Sequence, residues 1–111
     1  DTYAAPDMIK YSPGVAKAWL QMVYSTGTPT RIANYNVSSL TDSGVGIYKA
    51  VWDTDFEDTL YSVAGVMRTD NTTSDVLSAS SAATTDINVT LHRNGTKTDL
   101  PSMLVAFGNQ A

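Results

Sequence analysis

Short runs in which polar and apolar side chains alternate are what most restricts the fold open to this chain. Ile87 to Arg93 (INVTLHR) sets Ile87, Val89 and Leu91 against Asn88, Thr90 and His92, a period of two that fits a half-buried strand. Val15 to Tyr24 (VAKAWLQMVY) repeats the pattern, with Ala16, Ala18, Leu20, Met22 and Tyr24 on one face. A helix there lacks a cap after Pro13-Gly14 and would have to accommodate Val and aromatic residues that favour strands. Arg31 to Ser38, Ile47 to Trp52, Leu60 to Arg68 and Val76 to Ser80 are further strand candidates. Met103 to Phe107 (MLVAF) is continuously apolar, which predicts a strand buried on both sides.

Turn signals separate these runs. STGTP (25–29) closes the first, and RNGTKTD carries Asn94-Gly95, the strongest short hairpin signal. Leu40 to Gly46 (LTDSGVG) is expected to be the loop of a hairpin between 31–38 and 47–52, and Gly65 marks a bulge or a close approach. Seven to eight short strands spaced in this way predict an all-β fold, an antiparallel β-sandwich that is jelly-roll-like or Greek-key. Composition agrees: Ser and Thr form roughly a quarter of the 111 residues and Glu occurs once, so strong helix formers are scarce. That length supports one domain with one modest core. Residues 1–13, with Pro6 and Pro13-Gly14, read as a linker or lead-in, and 14–111 as the β-sandwich domain.

Several function classes lose support at once. The net charge is -4, and the seven Lys and Arg residues stand singly, so the basic patch that nucleic acid requires is missing. With no Cys there is no thiol nucleophile and no Cys-based zinc site. No apolar run approaches the roughly 20 residues of a membrane helix, and Asp1 to Lys10 lacks a secretory apolar region. Membrane insertion is not expected.

Catalytic chemistry is short of parts. His92 is the only His and Glu57 the only Glu, so a Ser-His-Asp site would have to use a His on the polar face of a strand. Asp53, Asp55, Glu57 and Asp58 could gather a hard cation, but the glycine and distal glutamate of a helix-flanked calcium loop are absent. The simpler reading is a solvated acidic turn that discourages edge pairing. No enzyme activity, cofactor or metal is expected.

SPGVAKAWLQM, RIANYNVSSLTDSGVGIYKAVW, DTDFEDTLYSVAGV and the closing MLVAFG carry a resemblance. Together they resemble a module found toward the C-terminus of tail-fibre and related fibre proteins of tailed bacteriophages, over about nine-tenths of the chain. Ala33 stands where that module usually has Ser, Ile47 where a polar residue is common, and 70–90 matches nothing in it. The resemblance implies a homotrimeric virion component of a tail or head fibre, assembled in the bacterial cytoplasm and acting outside the cell. Its implied partners are other virion fibre or tail proteins and a bacterial surface glycan or lipopolysaccharide. The alternative is a purely structural trimerising or capping module that makes no receptor contact. Trp19, Val23 and the run Met103 to Phe107 exceed what one small sandwich must bury, and a threefold interface would cover the surplus.

No catalytic residue carries over from the resemblance. Receptor contact is expected on the loops around 69–75 and 93–99, through Asp70, Asn71, Thr72, Asp75, Arg93, Asn94 and Lys97. Tyr35, Tyr48 and Trp52 are the candidate aromatic contacts, since rings give rigid contact area beside adaptable amides. Cross-strand packing is their simpler role.

Overall fold

The computed structural model describes residues 11, 12, 14–67, 74–80 and 82–111. Nine strands are present among them: β1 (Ala16–Ser25), β2 (Thr28–Tyr35), β3 (Val37–Gly44), β4 (Ile47–Trp52), β5 (Ser62–Met67), β6 (Asp75–Ser80), β7 (Asp86–Arg93), β8 (Thr96–Lys97) and β9 (Ser102–Phe107). They form two antiparallel sheets. The first has the order β2-β1-β9-β5, and the second β3-β4-β7-β6 with β8 added to β7.

The inward residues of both sheets meet in one cluster. Ala18, Leu20, Met22, Leu104 and Ala106 come from the first sheet, and Val37, Tyr48, Ala50, Trp52, Ile87, Val89 and Leu91 from the second. The fold is therefore all-β and sandwich-like. Alternation explains the burial: β4 and β7 bury every second side chain, and each full burial of a large apolar group contributes about 1.5–3 kcal/mol.

The nine strands exceed the expected seven to eight because the run 31–38 is two strands and the short β8 follows the Asn94-Gly95 turn. Residues 31–38 are divided at Asn36, whose φ of 60° turns the chain from β2 in one sheet to β3 in the other. Alternation is silent about such a corner, and Asn is among the few residues that tolerate this backbone region. Its side chain also fixes the corner. Nδ2 donates to Thr54 O at 3.1 Å, Oδ1 accepts from Thr54 N, and Asn36 O accepts from Asp53 N at 3.0 Å.

The hairpins are accordingly β1–β2 and β3–β4, and most of the expected loop 40–46 is strand. Thr26-Gly27 and Asn94-Gly95 turn β1–β2 and β7–β8, each with two positive φ values, as tight hairpins of matching twist require. Gly65 is a close approach without a bulge. The register of β5 on β9 is continuous, and a Cβ at Gly65 would lie 3.0 Å from the Leu77 methyls of β6. Met103 to Phe107 differs from expectation. Alternate residues Ser102, Leu104 and Ala106 are buried, while Met103, Val105 and Phe107 are only half-buried.

Between β4 and β5 the chain crosses back over an aromatic group. The Trp52 ring meets Phe56 and Tyr61 edge-on, at centroid distances of 5.4 and 5.9 Å, and Phe56 stacks on Tyr61 at 4.1 Å. The Tyr61 hydroxyl accepts from Trp52 Nε1 at 3.3 Å and lies 2.7 Å from Ala83 O and 2.9 Å from Asp86 O. One phenol thus ties the crossover to the turn before β7.

Candidate functional site

Four of the proposed contact residues come together at one end of the molecule. Antiparallel pairing sets Asp75 at the start of β6 opposite Arg93 at the end of β7, and β8 pairs Lys97 with His92. Arg93 donates two hydrogen bonds to Asp75, Nε to Oδ1 and Nη2 to Oδ2, both at 3.1 Å. The Asp75 side chain is 6% exposed and that of Arg93 34%, so the fork presents one edge to solvent. A two-point guanidinium-carboxylate contact holds both planes in register.

Asn94 adds a second clamp. Its N–H donates to Ser74 O at 2.8 Å and its Oδ1 accepts from Ser74 N at 3.1 Å. Lys97 is an exposed cation on β8, paired with His92 and therefore on the sheet face opposite to that of Arg93 and Asp75. The arrangement offers oriented donors, one cation and amide and hydroxyl groups on a rigid end, which suits neutral or anionic hydroxylated ligands. Asp70, Asn71 and Thr72 lie outside the described residues.

The aromatic candidates separate. Tyr48 is 0% exposed and Trp52 3%, so both rings belong to the core and are withdrawn as contact surface. The reason is parity: both stand on the inward face of β4, a central strand covered by the other sheet. Tyr35 is 52% exposed and pairs across strands with Trp19, itself 40% exposed. These two lie on β2 and β1 of the first sheet, whereas Asp75 and Arg93 belong to β6 and β7 of the second.

Trp19 opens onto a second surface. Gln21, Ala64, Val66, Met103 and Val105 join it around a shallow trough of about 350 Å³ on the outer face of the first sheet. None of these side chains is charged. The odd positions of β1 and the apolar run of β9 signalled part of this face in sequence, whereas the contribution of β5 depends on its pairing with β9.

Electrostatic perturbation is concentrated in the interior. Burial pushes the Tyr48 hydroxyl up to about 12, partly offset by its 3.3 Å hydrogen bond with Ser102 Oγ. The Tyr24 hydroxyl is buried without a hydrogen-bond partner among the described residues. Burial first, then the nearby Asp99 and Asp42 carboxylates, raises its pKa. Lys17 is 1% exposed, and its Nζ donates to Ser12 O at 2.6 Å and Val15 O at 2.9 Å. Desolvation lowers its pKa. The Tyr48 bond braces the interior and the Lys17 bonds the start of β1.

The acidic turn is open to solvent: Asp53, Asp55, Glu57 and Asp58 are all exposed. Asp58 Oδ1 accepts from Leu60 N at 2.8 Å, a local turn bond. Among the described residues no three His, Cys, Asp or Glu side chains gather as a metal site. Compared with known proteins, the chain matches no family model, no curated protein and no solved structure.

Proposed function

We propose that this chain is a fibre-tip module of a tailed bacteriophage that attaches the virion to a host-surface glycan or lipopolysaccharide. The observation that carries this reading is the braced polar end, where a two-point ion pair joins Arg93 to Asp75 and a reciprocal clamp joins Asn94 to Ser74, with Lys97 exposed on the neighbouring strand β8. Such an end presents donors to sugar hydroxyls or phosphates with little ordering cost, and three copies in a fibre would add avidity. The module acts by binding and has no catalytic role, as part of a homotrimer joined to other fibre or tail proteins. The test is competition: the isolated domain is added to phage and host cells, and is also presented to an array of bacterial glycans. Blocked adsorption that is restored by Lys97→Ala supports attachment. A folded oligomer that neither blocks adsorption nor binds any glycan refutes it.

A purely structural module is the second reading, and the uncharged outer face around Trp19, Val66, Met103 and Val105 favours it. Monomeric domains seldom leave a contiguous apolar face of this kind uncovered.

A further inference from the structure

The outer faces of the two sheets are opposite in character. Around Trp19 the first sheet is uncharged. On the second sheet, residues paired directly across strands share a face, so the register identifies the side chains that stand outward. One row crosses all four long strands as Thr41, Lys49, Asn88 and Ser80. The next holds Ile47, Thr90 and Ser78, and the last holds Lys97, His92 and Val76. Thr41, Ser78, Ser80 and Lys97 are exposed, and Lys49, Asn88, Thr90 and His92 are half-buried.

Charge is divided unevenly over the molecule. The chain has a net charge of -4, yet Lys49 and Lys97 stand on this face, and neither enters an ion pair among the described residues. The carboxylate that pairing places on the same face, Asp86, lies beyond Asn88 beside Val51 and accepts from Thr85 Oγ1 at 2.9 Å. Asp99, two residues after Lys97, accepts from Gly46 N at 2.7 Å. Pairing also sets the spacing of the cations. Lys49 is opposite Asn88 and Lys97 opposite His92, so the two backbone positions are separated by four residues of β7, about 14 Å along an extended strand. Thr90 stands between them, with Ser78 at its side.

We infer that this face binds a linear acidic polysaccharide laid along β7, with carboxylates of its sugar rings at Lys49 and Lys97 and ring hydroxyls at Asn88, Thr90 and His92 between them. Charge complementarity selects the occupant: an acidic chain molecule approaching an acidic protein is repelled except where cations stand unpaired. The cations here are sparse, and the groups between them are hydroxyls and an amide that both donate and accept. A ligand to match has widely spaced anions separated by hydroxyls. Nucleic acid, charged at every residue, would leave most of its phosphates against neutral side chains, and an acidic peptide lacks the hydroxyls. The inference rests on the glycan reading above for the source of its occupant. It locates the contact on a surface which that reading does not use, apart from Lys97.

The probe is an oligomer of galacturonic acid, with its neutral methyl ester and polyglutamate as comparisons, titrated into the full chain by calorimetry and followed by amide NMR. The expected result is binding that weakens as salt is raised, with amide shifts centred on residues 88–92 and Lys49. Lys49→Ala and Lys97→Ala each weaken binding at least about threefold, with circular dichroism to establish folding. Ile32→Lys adds a cation to β2 of the first sheet, where Ile32 is 54% exposed, and leaves binding unchanged. The inference is overturned if the oligomer does not bind, if the methyl ester or polyglutamate binds equally well, or if the amide shifts are confined to residues 74–75 and 93–95. It is overturned as well if Ile32→Lys tightens binding as much as Lys49→Ala weakens it, since the attraction is then general. The two readings fail separately. A chain that binds the oligomer on this face yet does not block adsorption removes host attachment, whereas a Lys49→Ala chain that blocks adsorption as fully as wild type removes this face.

Discussion

Gly46 sits where three segments converge, and its replacement by alanine is a sharp test of the packing. The residue has a φ of 71°, a backbone region that costs an L-residue about 1–2 kcal/mol. A Cβ there would lie 2.6 Å from Thr98 N and 2.8 Å from Leu91 O. Neither atom can easily yield, because Thr98 N donates to Leu91 O at 3.0 Å and Leu91 N donates to Gly46 O at 2.7 Å. The Gly46 N–H is engaged too, by Asp99 Oδ1 at 2.7 Å. Forcing an extra carbon into such a site costs about 1–3 kcal/mol, and with the backbone cost the expected loss is about 2–5 kcal/mol. For a domain of this size that lowers the melting temperature by about 10–30 °C. Gly27 is the control, since its φ is 79° but a Cβ there meets nothing within 4 Å. Gly27→Ala should therefore lose only the backbone part, about 1–2 kcal/mol. Urea denaturation followed by Trp fluorescence measures both, at equal m-values. Equal losses for the two variants would refute the claim that contact with β7 and residue 98 makes Gly46 special.

Tyr61→Phe strands Trp52 Nε1 and takes a donor from the Ala83 carbonyl, while the Asp86 carbonyl still accepts from Ala83 N; an expected loss of about 1–3 kcal/mol is measured by thermal unfolding, with a change in Trp emission. Alkaline stability follows from Tyr48, whose pKa is raised from 10.0 to about 12. The folded state keeps the proton that the unfolded state releases, so this contribution is whole below about pH 10 and is lost as pH rises through about 12, removing about 2–3 kcal/mol. Tyr48→Phe should flatten that limb of a stability-against-pH curve. Asp75→Asn and Arg93→Gln, taken through a double-mutant cycle, should show a coupling of about 1–2 kcal/mol that weakens with salt, since the Arg93 side of the pair meets solvent.

The fold was legible wherever one face of a strand is buried and a turn has its own chemistry. INVTLHR became β7 with Ile87, Val89 and Leu91 inside, and Asn94-Gly95 became a two-residue turn with both φ values positive. Illegible features were those fixed by partners distant in sequence. Tyr35 and Tyr48 look alike in the sequence. Yet Tyr48 lies under the opposite sheet and Tyr35 on an edge strand facing outward. Asn36 reads as one more polar residue in an alternating run, and only its bonds to Asp53 and Thr54 make it a corner.

The candidate site divides in the same way. The sequence marked the loops around 69–75 and 93–99 through their turn residues, but the pairing of Arg93 with Asp75 needed the register of β6 on β7. Alternation with period two determines which residues share a face, because neighbouring side chains on a strand must point oppositely. Which strand lies beside which, and which edges stay open, depends on hydrogen bonds between segments tens of residues apart. Those bonds belong to the tertiary structure alone, and with them the braced polar end and the uncharged outer face.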